Sequence, residues 1–321
     1  MKISILGCGW LGLPLGKFLV EKGHVVKGST TSEDKISLLS SMGIVPFLIK
    51  FSPQIEAVPL SVSSQTTGIE AVPLSVSSQT TGILSLSVVC GDTDNGILRP
   101  SSDYRLTALN PYKGISQFLD SEILIICIPP RVGKFGEDYH VQQIQSLIQY
   151  LPSSPVKSII YTSSTSVYPE LNREMTEDDE VLENHALIKV ENLLKNLPQN
   201  VTILRCGGLM GGERIPAKYF AGKIINTGKI PVNYVHQKDV IQIITMILEK
   251  GFWNETFNVV SPEHPLREEI YLKNCIDLGF EKPIFEDPTE QIPYKIISPQ
   301  KLILRTDYEF KYRNPLDFRY S

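Results

Sequence analysis

The sequence predicts an α/β fold, a doubly wound parallel sheet with a smaller lobe built from its C-terminal part, and three observations predict it. Short apolar runs alternate with amphipathic helical stretches along most of the 321 residues, the pattern of a sheet wrapped by crossover helices. The first run feeds a glycine-patterned turn and then a helix. The run Glu122-Ile-Leu-Ile-Ile-Cys-Ile128 is apolar almost throughout, as in a parallel strand covered on both faces.

Taken in order, Met1 to Gly12 reads MKISILGCGWLG. Ile3, Ile5 and Leu6 form a strand, and Gly7-x-Gly9-x-x-Gly12 follows it. Leu11, Leu15, Phe18 and Leu19 then recur at helical spacing. Pro14 suits a first helical turn, where backbone N–H groups lack an intrahelical partner. Strands are expected at Val25–Ser29 and Ile44–Phe51. Residues 55–68, IEAVPLSVSSQTTG, recur unchanged at 69–82, and 83–96 keeps the leading Ile and trailing Gly. Units so rich in Ser, Thr and Pro bury little core, so residues 52 to about 115 read as an inserted surface loop and not as a solenoid. The fourth strand is Glu122–Ile128. A helix over Glu137–Tyr150, a strand at Val156–Tyr161, a helix over Asn184–Leu197 and a strand at Val201–Arg205 continue the alternation. Cys206 to Tyr234 is glycine-rich. Asp239 is placed to cap a helix, Val240–Lys250, and Glu255–Val260 returns to the sheet.

Composition narrows the function. A net charge of −4 with 42% hydrophobic residues suits a soluble enzyme or binding protein and leaves no basic stripe to displace counterions from nucleic acid or an anionic membrane. Met1-Lys2 runs straight into the first strand, and no apolar run reaches membrane-spanning length; a cytoplasmic location is expected. The five cysteines and five histidines are dispersed, with no C-x-x-C pair, so neither a metal site nor a disulfide framework is expected.

The strand, glycine turn and helix have a mechanism. Gly7 permits the tight turn, Gly9 lets backbone approach a pyrophosphate, and Gly12 lets the helix pack close to the strand. A dinucleotide site is therefore expected over Gly7, Gly9, Trp10, Leu11 and Gly12. The tip of the second strand separates the two nicotinamide cofactors, because NAD-preferring sites place a carboxylate there for the ribose hydroxyls. Here Thr30 holds that place. A carboxylate about 4 Å from a 2′-phosphate would repel it by about 4 kcal/mol at an effective dielectric of ~20, so its absence admits NADP. Thr30, Thr31 and Lys35 are the candidate phosphate ligands; NAD stays as the alternative, because Glu33 and Asp34 stand in the same loop and no arginine does.

The ordered set GCGWLG, IICIPPR, IIYTSSTSVYP, KVENLL, ILRCGGLMGGER and NYVHQKD resembles the extended, atypical short-chain dehydrogenase/reductase superfamily, in its nucleoside-diphosphate-sugar epimerase-like branch. The resemblance spans nearly the whole chain outside the insertion. It implies a nicotinamide-binding domain over 1–205, to which 235–260 returns, and a mainly substrate-side lobe over 206–321. It also places Ile128 and Pro129 beside the cofactor and makes a homodimer plausible. In that superfamily a serine after the fifth strand holds the reacting oxygen, and a Tyr-x-x-x-Lys pair on the next helix moves the proton. The serine corresponds to Ser164. The tyrosine has no counterpart: with Glu191 as anchor, Leu187 and Glu183 take the lysine and tyrosine places, whereas Lys189 as anchor puts His185 at the tyrosine. A phenol needs its pKa near 10 lowered, while histidine exchanges a proton near neutrality unaided, so His185 and Lys189, four apart on a helix, are the replacement candidates. Gly208 replaces the family's asparagine. Gly208, Arg214, Asn233 and His236 are candidate substrate contacts, with His236 equally open to core packing. The expected activity is that of an NAD(P)-dependent oxidoreductase of the epimerase/dehydratase type on a small, in some cases nucleotide-linked, carbonyl or hydroxyl substrate. The alternative is a cofactor-binding or redox-sensing protein that has lost the proton-transfer pair.

Overall fold

Seven parallel strands make the central sheet: β1 (Lys2–Leu6), β2 (Val25–Thr30), β3 (Val45–Leu48), β4 (Ile123–Ile126), β5 (Ser158–Ser164), β6 (Asn200–Cys206) and β7 (Thr256–Val259). Their order is β7-β6-β5-β4-β1-β2-β3. The chain thus moves outward from β1 to β3, returns to β4 on the other side of β1, and continues to β7. The switch point lies between β1 and β4, where open α/β sheets leave a ligand-sized crevice at the carboxyl ends of the strands. The computed structural model describes residues 1–50 and 111–320. The duplicated segment and nearly all of the expected 52–115 insertion lie outside the described residues. Its far boundary is corrected: Pro111–Phe118 is already helical.

The doubly wound expectation is borne out, and strand lengths shift for a pairing reason. β5 starts later than its apolar run and extends through Thr162, Ser163 and Ser164, because β6 pairs with it residue for residue up to Ser164↔Cys206. Backbone pairing there outweighs the weak strand preference of serine. β3 stops at Leu48, short of Phe51.

Helices α1 (Gly12–Glu21), α2 (Ile36–Ser41), α3 (Pro111–Phe118), α4 (Asp138–Ile148), α5 (Ala186–Lys195), α6 (Gln237–Lys250) and α7 (Arg267–Leu278) complete the layers. Leu15 and Leu19 of α1 and Ile243, Ile244 and Ile247 of α6 share a core with Ile3 and Ile5. On the opposite face Ile144 and Leu147 of α4 and Val190 and Leu194 of α5 pack with Leu124, Ile126 and Ile159. A third, separate cluster joins Ile225 and Val232 to Ile270, Tyr271 and Cys275 of α7. Among the described residues no helix is long and apolar enough to cross a membrane.

One histidine is sealed into this core. His140 of α4 is fully buried, with Nε2 2.8 Å from the Tyr161 hydroxyl of β5, and burial pushes its pKa down to about 4. Above pH 6.5 the ring is neutral in both the folded and unfolded chains. Between pH 6.5 and 4 only the unfolded chain takes the proton, so stability falls as the pH falls, by about 3 kcal/mol in total. Urea titrations from pH 7.5 to 4 should show a steeper loss in wild type than in His140→Gln, and equal slopes would refute this linkage.

Candidate functional site

The glycine turn is built as its chemistry requires. Gly7 adopts φ +98°, a conformation side chains rarely adopt, and a Cβ there would also lie 2.7 Å from Ile128 Cγ2. A Cβ on Gly12 would lie 2.3 Å from the Gly7 carbonyl oxygen, so α1 can start this close to β1 only on glycine. Gly9 is the opposite case: no atom lies within 4 Å of its would-be Cβ, and the residue is exposed. The turn is fastened to β2 by the Gly7 N–H, which donates to Ser29 Oγ at 2.8 Å, and the Cys8 N–H, which donates to Ser29 O at 2.8 Å. A cavity of about 530 Å³ opens beside Gly9 and Trp10, with Gly212, Glu213 and Ile215 opposite. Open space over Gly9 at the start of a ten-residue helix is a cradle that fits a dinucleotide pyrophosphate.

At the tip of β2 the three expected phosphate ligands divide. Thr30 is buried, and its hydroxyl is tied to the Ser32 backbone, accepting from the N–H at 3.1 Å and donating to the carbonyl at 3.3 Å. Thr31 and Lys35 are exposed. Ile128 touches the glycine turn from the end of β4, with Pro129 next to it and exposed.

Two strands from β1, about 10 Å at ordinary sheet spacing, β5 delivers the serines. Ser164 Oγ accepts from the Ser166 N–H at 3.1 Å and so shapes the turn that lifts Ser166 into solvent. His185 is the N-cap of α5: its Nδ1 accepts from the Leu187 N–H at 3.2 Å, and its Nε2 lies 3.3 Å from Ser166 Oγ. The structure thus brings Ser164, Ser166 and His185 together. It does not pair His185 with Lys189. A cap residue has extended backbone and stands outside the helical face, and Lys189 reaches instead to Asp138 at 3.7 Å. Burial lowers the His185 pKa. Because Nδ1 is an acceptor, the neutral ring carries its proton on Nε2, toward Ser166.

Beneath the serines lies a buried charged network that sequence reasoning missed. Ser163, alternating to the other face of β5, donates to Glu191 Oε1 at 2.6 Å. Arg205 Nη2 donates to Glu191 Oε2 at 2.8 Å, and its Nη1 to the Tyr168 hydroxyl at 2.8 Å. That hydroxyl in turn donates to Asn258 Oδ1 at 2.8 Å. Tyr168 is therefore a buried strut and not the missing phenol. The only signal in the sequence was the pair of charged residues, Glu191 and Arg205, set among apolar neighbours.

The substrate-side candidates are largely committed to the fold. Asn233 spends its amide on backbone, donating to Lys295 O at 2.9 Å and accepting from Ile297 N–H at 2.8 Å. Gly208 is crowded by the Tyr234 ring, 2.6 Å from its would-be Cβ. His236 is 2% exposed. It caps α6 through Nδ1, which accepts from the Lys238 N–H at 3.1 Å, and its Nε2 meets Arg319 O at 3.2 Å. This corrects the expectation that Asp239 is the cap: Asp239 lies inside the first turn, accepting from the Lys311 and Tyr312 N–H groups and the Tyr308 hydroxyl. Arg214 stays half-buried, with its guanidinium 4.2 Å from the Trp10 ring centroid. Burial pushes the Cys8 and Cys127 thiols up to about 12, which leaves them inert as thiolates. Among the described residues no group of His, Cys, Asp and Glu is arranged to hold a metal.

Sheet order and glycine turn together give this chain the doubly wound α/β fold seen in solved epimerases and short-chain dehydrogenases/reductases. Over 98% of its length it is similar to protein YeeZ of Escherichia coli K12, at 29% identity with 97% of that protein covered. Among solved structures, the UDP-glucose 4-epimerase of Thermotoga maritima, determined with UDP-glucose, superposes with a TM-score of 0.67 at 14% identity, covering 97% of this chain and 94% of that one. The human epimerase family protein SDR39U1, determined with NADPH, gives 0.60 at 14% identity, covering 98% and 96%. No protein-family model matches the sequence.

Proposed function

We propose that the protein is an NAD(P)-dependent oxidoreductase of the epimerase/dehydratase type, acting on a carbonyl or hydroxyl of a small nucleotide-linked substrate, with NADP preferred. The observation that carries this reading is the open cradle at Gly9 on the same strand ends as the Ser164–Ser166–His185 cluster. The solved neighbours that bind UDP-glucose or NADPH support it. In this reading residues 206–321 supply most of the substrate side. Gly7 to Gly12 and the start of α1 would hold the pyrophosphate, and Thr31 and Lys35 a 2′-phosphate. A bound nicotinamide supplies or accepts hydride.

The chain's own residues then act on the substrate oxygen. Ser164 shapes the turn, Ser166 presents a hydroxyl, and His185 donates from Nε2. The cap bond from Leu187 keeps Nδ1 occupied and burial favours the neutral ring, so His185 polarises the oxygen as a hydrogen-bond donor, while the proton that accompanies hydride transfer is exchanged with solvent at the exposed Ser166 hydroxyl. Neutral histidines at helix N-termini serve catalysis elsewhere in this way. Lys189, held toward Asp138, plays no direct part.

Purified protein should oxidise or reduce members of a sugar-nucleotide and carbonyl panel with NADPH in preference to NADH. His185→Phe should lower kcat by about a hundredfold, with a stability loss near the ~1 kcal/mol of a lost cap. A second reading, a cofactor-binding protein without turnover, is favoured by the burial of Tyr168 under the site. Tight NADPH binding with no turnover on any substrate would select it.

A further inference from the structure

The first turn of α6 ties three parts of the chain together. His236 caps the helix, accepts Tyr312 against its ring at 4.1 Å and meets Arg319 O through Nε2. Asp239, fully buried, takes the Lys311 N–H at 2.7 Å and the Tyr308 hydroxyl at 2.9 Å. Both residues therefore pin the segment 307–320 across the start of α6. Gln237, between them, points the other way: its Nε2 donates to the Trp10 carbonyl at 2.7 Å, across 227 residues of sequence. The segment ends at Tyr320, which lines the cavity beside Gly9 and Trp10 together with Gln237. Burial pushes the Tyr320 phenol up, with the Asn274 side chain of α7 beside it.

From this we infer that the segment 307–320 is a strap completing the dinucleotide cavity, and that Tyr320 and Gln237 are positioning residues for the bound dinucleotide. The inference rests on the cofactor reading above and extends it to residues far from the glycine turn. The two residues act differently. Gln237 holds the Trp10 carbonyl and with it the backbone that leads into α1. Tyr320 lines the cavity while its hydroxyl is buried beside Asn274, so the ring and not the hydroxyl does the positioning. His236 and Asp239 carry the strap's anchorage, so shortening the Tyr320 side chain leaves those bonds in place.

Trp10 and Trp253 are the two tryptophans of the chain, so a Trp253→Phe background leaves Trp10, in the cavity wall, as the only tryptophan reporter. In that background NADPH should quench Trp10 emission and report affinity directly. Measured at a temperature where the variants are fully folded, Tyr320→Ala should weaken NADPH binding at least tenfold, and Tyr320→Phe should bind within twofold of the parent. Gln237→Leu should weaken binding about tenfold and shift the Trp10 emission of the unliganded protein. Unchanged affinity in both Tyr320→Ala and Gln237→Leu overturns the strap, as does Tyr320→Phe being as weak as Tyr320→Ala. A parent protein that binds neither NADPH nor NADH overturns the cofactor reading itself and the strap with it.

Discussion

Gly9→Ala is expected to leave the protein folded while costing on the order of a hundredfold in dinucleotide affinity, about 2.8 kcal/mol. The added methyl meets no protein atom within 4 Å, so it is accommodated without ligand. The same methyl occupies the space over which a pyrophosphate must approach the backbone. Gly12→Ala should behave in the opposite way. Its methyl would sit 2.3 Å from the Gly7 carbonyl, forcing α1 away from β1 at a cost of about 1–3 kcal/mol or more in stability, with affinity lost only as a consequence. Thermal melts and NADPH titration of the two variants separate the effects. Full NADPH affinity in a folded Gly9→Ala protein would refute the dinucleotide site.

The second large effect is expected at Glu191. Glu191 is 1% exposed and the Arg205 side chain 6%, and Glu191→Ala leaves a buried guanidinium with its hydrogen bond to the Tyr168 hydroxyl but without its paired carboxylate. Removing one partner of such a pair costs about 3–5 kcal/mol, enough to threaten a protein whose total stability is of the order of 5–15 kcal/mol. Replacing both partners together, as Glu191→Leu with Arg205→Met, should recover much of that loss, because no charge is then stranded. Equilibrium denaturation of the single and double variants measures the difference. If the single variant loses under 1 kcal/mol, the pair does not stabilise the buried network beneath the serines. Ser163 would lose its acceptor in either case, so activity is expected to fall further than stability in the double variant.

Local features were legible because they follow from short-range sequence. The glycine turn, its strand and its helix depend on about twenty consecutive residues, and the apolar run of β4 declares itself by composition. The apolar run alone ends the fifth strand at Tyr161, and pairing with β6 carries it on to Ser164. Asp239 was taken for a cap because acidic residues favour that position. The fold instead uses His236, since Asp239 is claimed by N–H groups some seventy residues later.

Periodicity and glycine placement are properties of neighbouring residues, and they suffice to specify a doubly wound sheet with a glycine turn at its first strand end. Which side chains share the site depends on packing between distant segments. His185 stands apart from Lys189 because it caps α5 through Leu187, and its Nε2 lies beside Ser166. Tyr320 and Gln237 reached the glycine turn through packing between segments more than two hundred residues apart. Contacts of that range are set by how layers stack, and no local pattern encodes them.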